Sequence, residues 1–69
     1  MKLSARNVVK GKIKSIDTGA VNVEVIIEVA QGIEFTSVIT KKSCENLGLT
    51  VGKEAYMVVK ASNVMIATD

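Results

Sequence analysis

Val21–Val29, VNVEVIIEV, is the stretch that decides how this chain folds. Val21, Val23 and Val25 alternate with Asn22 and Glu24, a period of two in β-branched residues, so one face of a strand is apolar and the other polar. Ile26 and Ile27 break the alternation before Glu28, which predicts either a bulge or burial on both faces. Both flanks read as turns, DTGA (Asp17–Ala20) ahead and AQG (Ala30–Gly32) behind. Outward from this strand the pattern continues. Val8–Ile16 reads as a long strand with Gly11 as its bend, and Ile33–Thr40 as a third strand.

The periodicity changes at Thr40–Leu49, TKKSCENLGL. Cys44 and Leu47 stand three apart, Thr40 or Ser43 supplies an N-cap, and Gly48 a stop, giving one or two turns of helix. TVGKE then turns the chain into a fourth strand, AYMVVK (Ala55–Lys60), and after ASN comes a fifth, VMIAT (Val64–Thr68). Three strands, a short helix and two strands is the element order of an OB-type barrel. The expected fold is therefore mainly β, an OB-fold-like five-stranded barrel with one short helix between strands 3 and 4. No linker, repeat or low-complexity segment divides it, so residues 1–69 are expected to form a single domain.

A chain of 69 residues sits near the lower limit for a self-sufficient core. Such domains need a staple, usually disulfides, a metal or a partner chain. Cys44 is the single cysteine and there is no histidine, so neither an intrachain disulfide nor a zinc site can serve. Yet 48% of the residues are hydrophobic, more than so small an interior can hold, and self-association is the expected staple. The net charge of +2 is too small for a general nucleic-acid binder, though it favours small anions locally. No apolar run reaches the roughly 20 residues that cross a bilayer, and the N-terminus has no signal-peptide pattern. No membrane partner is expected, and with its free thiol the chain is expected in the cytoplasm.

Enzymatic chemistry is poorly supplied. Without histidine there is no general base poised near neutrality, and Cys44 has no imidazole to activate it, so it reads as a small core hydrophobe. Glu24, Glu28 and Glu45 are scattered, and no glycine-rich phosphate loop occurs. Single-strand nucleic-acid binding on an OB barrel needs stacking aromatics, and only Phe35 and Tyr56 are present. No enzyme, no nucleic-acid partner and no protein-coordinated metal are expected.

Two short polar clusters remain: SARN (Ser4–Asn7) before the first strand and KASN (Lys60–Asn63) between the fourth and fifth. Each sets a cation two residues from a hydroxyl, Ser4 with Arg6 and Lys60 with Ser62, with a small alanine between and an asparagine after. Thr40 is a third hydroxyl at an element boundary. Singly, each reads as an ordinary surface or turn residue. Together they offer donors only, which suits a fully ionised tetrahedral oxyanion, a group that only accepts hydrogen bonds.

MKLSARNVVKGKI, with VITKKSCENLGLTVGKEAYMVVKASNVMI downstream, closely resembles the molbindins, the small molybdate/tungstate-binding or Mop proteins. The combination of SARN, a helix, LGL followed by G, and KAS is what makes the resemblance specific, and it covers essentially the whole chain. The resemblance implies an OB-like barrel assembled as a homo-hexamer, a trimer of dimers, that stores molybdate or tungstate between subunits and carries no organic cofactor. It implies that Ser4 and Arg6 contact the anion from one subunit, and Lys60, Ala61 and Ser62 from a neighbour, with Thr40 as an additional hydroxyl. A further anion site is expected at the turn near Gly19 and Ala20. Similar domains serve as sensor modules of molybdate-responsive regulators. An anion-switched interaction module is therefore the alternative function, and an OB-type single-strand binder a weaker one.

Overall fold

A computed structural model describes residues 1–69. The elements are β1 (Asn7–Thr18), β2 (Asn22–Ala30), β3 (Ile33–Thr40), α1 (Lys41–Leu47) and β4 (Glu54–Val59), followed by a 3-10 turn at Ala61–Asn63. All four strands are antiparallel neighbours in one sheet of order β3-β2-β1-β4.

The alternation expected over Val21–Val29 holds from Val23 on: Val23, Val25 and Ile27 are buried and with Ile13 of β1 make up the core, whereas Val21 precedes β2 and is exposed. Ile16, Val29, Ile39, Cys44, Leu49, Ala55 and Met57 pack around it, so Cys44 does serve as a half-buried apolar contact. The irregularity expected at Ile26–Ile27 falls on the partner strand. Ile13 faces Ile27 and Ser15 faces Ile26, which leaves Lys14 as the extra residue of a bulge in β1. Gly11 marks a close approach of β1 to β2. A Cβ built there would lie 2.6 Å from the Glu28 carbonyl oxygen and 2.9 Å from Ile27 Cγ1, so only glycine lets the strands meet at this bend.

The loop from α1 to β4 is tied to the middle of β1. The Gly52 amide donates to the Ile13 carbonyl at 2.8 Å, and the Ile13 amide to the Lys53 carbonyl at 2.9 Å. Lys53 Nζ reaches the carbonyls of Leu47 (3.2 Å) and Gly48 (3.1 Å), neutralising the exposed C-terminal end of α1. Gly48 takes the left-handed cap at φ 62°. On the outer face Lys10 pairs with Glu54 at 2.7 Å and Lys14 with Glu34, forming charge pairs that cross the sheet.

Those pairs hold the Glu54 carboxyl below its usual range, chiefly through the Lys10 hydrogen bond, and raise the ammonium pKa of Lys10, through Glu54, and of Lys14, through Glu34. The lowered Glu54 pKa gives stability that fades only as pH falls through the acid range. The raised lysine values give stability that fades only in strong alkali. Neither changes near neutrality.

The fifth strand is the expectation that fails. Val64–Thr68 carries no strand, and Met65 and Ile66 are 92% and 86% exposed. The expected closed five-stranded barrel is thus an open four-stranded sheet. The physical reason is an absent partner. Beyond the 3-10 turn the tail pairs with neither edge strand, β3 or β4, and a strand without a partner leaves its amides and apolar side chains in water. Between β3 and β4 there remains a largely apolar cleft of about 540 Å³, with Ile27, Ile39, Leu49 and Met57 among its lining.

The surface reflects that opening. The accessible area is 5541 Å², against about 4,200 Å² for a compact chain of this mass. The radius of gyration is 12.7 Å, against about 11 Å for a compact domain of this length.

Gly11→Ala forces a methyl group against the Glu28 carbonyl. It should destabilise the fold by about 1–3 kcal/mol in denaturant titration, the usual cost of overpacking.

Candidate functional site

The β1–β4 register brings SARN and KASN together. Its last pair is Asn7 with Val59, so Arg6 and Lys60 are the first residues beyond the ladder on the two strands. Asn7 also fastens this end through its side chain, Nδ2 donating to the Val59 carbonyl at 3.1 Å. Past Val59 the chain is extended at Lys60 and then makes its single 3-10 turn. The turn is closed by the Asn63 amide on the Lys60 carbonyl at 2.8 Å and the Val64 amide on the Ala61 carbonyl at 3.2 Å. The Ala61 and Ser62 amides open the turn and have no carbonyl within it to bond. Ser4, Arg6, Lys60, Ala61 and Ser62 thus converge on one end of one chain, with Ala61 small enough to leave the turn approachable.

Arg6 and Lys60 are exposed, and neither takes part in an ion pair; the salt bridges of the chain are made by Lys10 and Lys14. Like charges set across a ladder repel. An anion placed between them relieves the repulsion and collects charge-assisted bonds from both.

Thr40 lies elsewhere. It closes β3 opposite Asn22, and the Lys41 amide donates to the Val21 carbonyl at 2.8 Å, while the Gly19 amide donates to the Asn22 carbonyl at 2.9 Å. The Gly19–Ala20 turn and Thr40 are therefore neighbours at the other end of β1, where Thr18 faces Val23. Thr40 is the N-cap of α1: its Oγ1 accepts the Ser43 amide at 3.0 Å and donates to Ser43 Oγ at 2.8 Å. β1 spans 12 residues, about 36 Å along its curved path. Thr40 and Arg6 thus stand near opposite ends of β1.

Two residues of interest escaped the sequence reading. Asn7 was quoted only as the end of SARN, and Ser43 only as an alternative cap. The signal for Ser43 is its position three residues after Thr40, the spacing at which an N-cap oxygen meets a backbone amide. No signal in the sequence marks Asn7, because its partner Val59 is far away in the chain.

Thr40→Ala removes the cap and should cost about 1 kcal/mol of stability with no anion present, whereas Thr40→Ser retains the cap. Thermal unfolding of the two variants without anion measures the cap by itself.

Residues 3–66 match the TOBE domain family. The chain is 44% identical over 69 residues to a probable molybdenum-pterin-binding protein of Haemophilus influenzae, with all of both chains covered. Its fold matches an apo form of MopII from Clostridium pasteurianum with a TM-score of 0.90 and 43% identity, covering 97% of this chain and 100% of that one. It also matches ModG, described as a cytoplasmic molybdate-binding protein and solved with molybdate bound, at a TM-score of 0.89 and 49% identity. That match covers 94% of this chain and 46% of ModG. The chain belongs to the TOBE domain family, and its relatives there include the small molybdenum-pterin-binding (Mop) proteins.

Proposed function

We propose that this protein binds and stores molybdate or tungstate at sites completed between subunits, by reversible binding without chemistry on the anion. The observation that carries this reading is that Arg6 and Lys60 directly follow the last β1–β4 pair, Asn7 with Val59, and that neither has a carboxylate partner. Hydroxyls of Ser4 and Ser62 and the opening amides of the KAS turn stand on the same segments. A site made only of donors selects a fully deprotonated oxyanion, and donors held at fixed spacing favour the larger molybdate and tungstate over sulfate. The names of the relatives supply the ligand class.

Where the family resemblance divides Arg6 and Lys60 between two chains, we propose that one chain supplies both. Arg6 and Lys60 act as one clasp on one chain, and the neighbouring chain contributes Thr40, whose hydroxyl proton can swing from Ser43 to the anion while its oxygen still caps α1. The Gly19–Ala20 turn stands beside Thr40 and belongs to the same contributed end. Assembly has its own driving force. The surface excess is larger than the roughly 800 Å² each partner buries in a standard interface, and the apolar Val64–Ile66 tail has no place on its own sheet. Seated in the cleft between β3 and β4 of a second copy, the tail would close the barrel that a lone chain leaves open. The homo-hexamer, a trimer of dimers, is the assembly adopted in this reading, and the cytoplasm its compartment, as described for ModG. No helix is long and apolar enough to cross a membrane.

Equilibrium dialysis against molybdate tests the clasp. A charged hydrogen bond contributes about 1.5–3 kcal/mol, so Arg6→Ala and Lys60→Ala should each weaken binding about ten- to a hundred-fold. Ser4→Ala should cost less, about 0.5–1.5 kcal/mol for one neutral hydroxyl, and Cys44→Ser should leave affinity unchanged. Because both cations stand on one chain, assemblies refolded from a mixture of the Arg6 and Lys60 variants should regain no tight sites. Wild-type affinity in both single variants would contradict the reading.

Molybdate and tungstate should raise the unfolding temperature in step with the logarithm of their concentration, since the unfolded chain offers no such site. Sulfate should need far higher concentrations. Equal responses to all three would leave only a loose anion patch.

A further inference from the structure

We infer that Asn7 is a positioning residue for the oxyanion site: its side-chain amide, bonded to the Val59 carbonyl, holds Arg6 and Lys60 at binding distance against their own repulsion. This rests on the clasp proposed above and adds to it a residue that contributes no donor to the anion.

The bond is placed where it can act this way. Asn7 is the first residue of β1 and Val59 the last of β4, so the pair closes the ladder. The carbonyl that Asn7 holds belongs to the peptide from which Lys60 starts, and the amide of Asn7 belongs to the peptide that ends Arg6. A single contact of 3.1 Å therefore links the two backbone units that carry the cations. Past Asn7 the chain leaves the ladder toward Ser4, and past Val59 it leaves toward the 3-10 turn. Neither cation has a carboxylate to offset the other.

Ladder ends fray, and two like charges across the terminal pair push the same way. When the end opens, the cations separate and the site is lost. Apparent affinity then falls with the fraction of chains whose end is closed. The Asn7 bond raises that fraction before any anion arrives, which is preorganisation in the ordinary sense. The side chain suits the task. It is neutral, so it adds no charge beside the anion, and short enough to reach the facing carbonyl from the strand itself. Asp in its place has no donor for a carbonyl and would offer a carboxylate to Arg6 and Lys60, competing with the ligand.

The test is isothermal titration with sodium molybdate on wild type, Asn7→Ala, Asn7→Asp, Arg6→Ala, Lys60→Ala and the Asn7→Ala/Lys60→Ala double variant. Unfolding temperature is measured for each without anion. Asn7→Ala should weaken binding about three- to ten-fold, the loss of one neutral hydrogen bond, while β4 and the core stay folded. Asn7→Asp should weaken it further. In the Lys60→Ala background, where no pair of cations is left to hold together, Asn7→Ala should cause little additional loss. A residue that only stabilised the fold would give the same loss in both backgrounds, and that result overturns the inference. So does wild-type affinity in Asn7→Ala. Should Asn7→Ala fail to fold, the same comparison is made with Asn7→Ser, which keeps a short donor; affinity at or near that of wild type supports the inference, and a loss as large as that of Asn7→Asp overturns it. If Arg6→Ala and Lys60→Ala themselves bind as wild type does, the clasp fails and the inference with it. That outcome differs from intact cation effects with a silent Asn7, which removes Asn7 alone.

Discussion

β1 must pair with β4 through Asn7–Lys12 and with β2 through Lys12–Thr18, and it serves both only by bending at Gly11 and stepping at the Lys14 bulge. Nearly everything else in the molecule follows from that shared strand. Ile13, between the bend and the bulge, reaches the core and is also where the α1–β4 loop is bonded to the sheet. The two ends of β1 become the two polar ends of the protein. One carries Arg6 and Lys60, each next to the last β1–β4 pair, the other the Gly19 turn near Thr40. On the proposed function, joining them on one anion requires a second copy.

That requirement agrees with the state of the sheet. A four-residue core is small for a chain with this many apolar residues, and the side chains left in water are gathered along the cleft, the tail and the edges. Exposed Met65 and Ile66 and an apolar cleft of matching character are two halves of one deficit. Burying them between copies would stabilise the fold through the assembly, which is the route open to a small chain with no disulfide and no metal. Stability and binding then share one cause, because the contact that buries apolar surface also brings Thr40 of one chain to the clasp of another.

The parts of this structure that were legible in the sequence are the local ones. β3 falls where Ile33–Thr40 predicted it, residue for residue, and α1 begins after Thr40 and ends at Gly48, because capping chemistry is written within a few residues of the helix itself. The alternation of Val21–Val29 named its buried face correctly from Val23 on. What a strand pairs with is not local. The doubled isoleucines announced an irregularity, yet one strand's sequence does not say which member of the pair holds the extra residue, and Lys14 of β1 holds it. Val64–Thr68 has the composition of a strand, but composition does not make it pair with the free edge of β3 or β4. The donor residues of the clasp were visible as residue types. Their meeting at one end of one chain depends on the β1–β4 register, as does the role of Asn7, and register is a property of the whole sheet.

Native mass spectrometry with and without molybdate reports subunit number and bound anions in one measurement. A multiple of the 69-residue chain is expected even without anion, taking up several molybdates on addition. A folded monomer that binds one molybdate at full affinity would contradict that expectation.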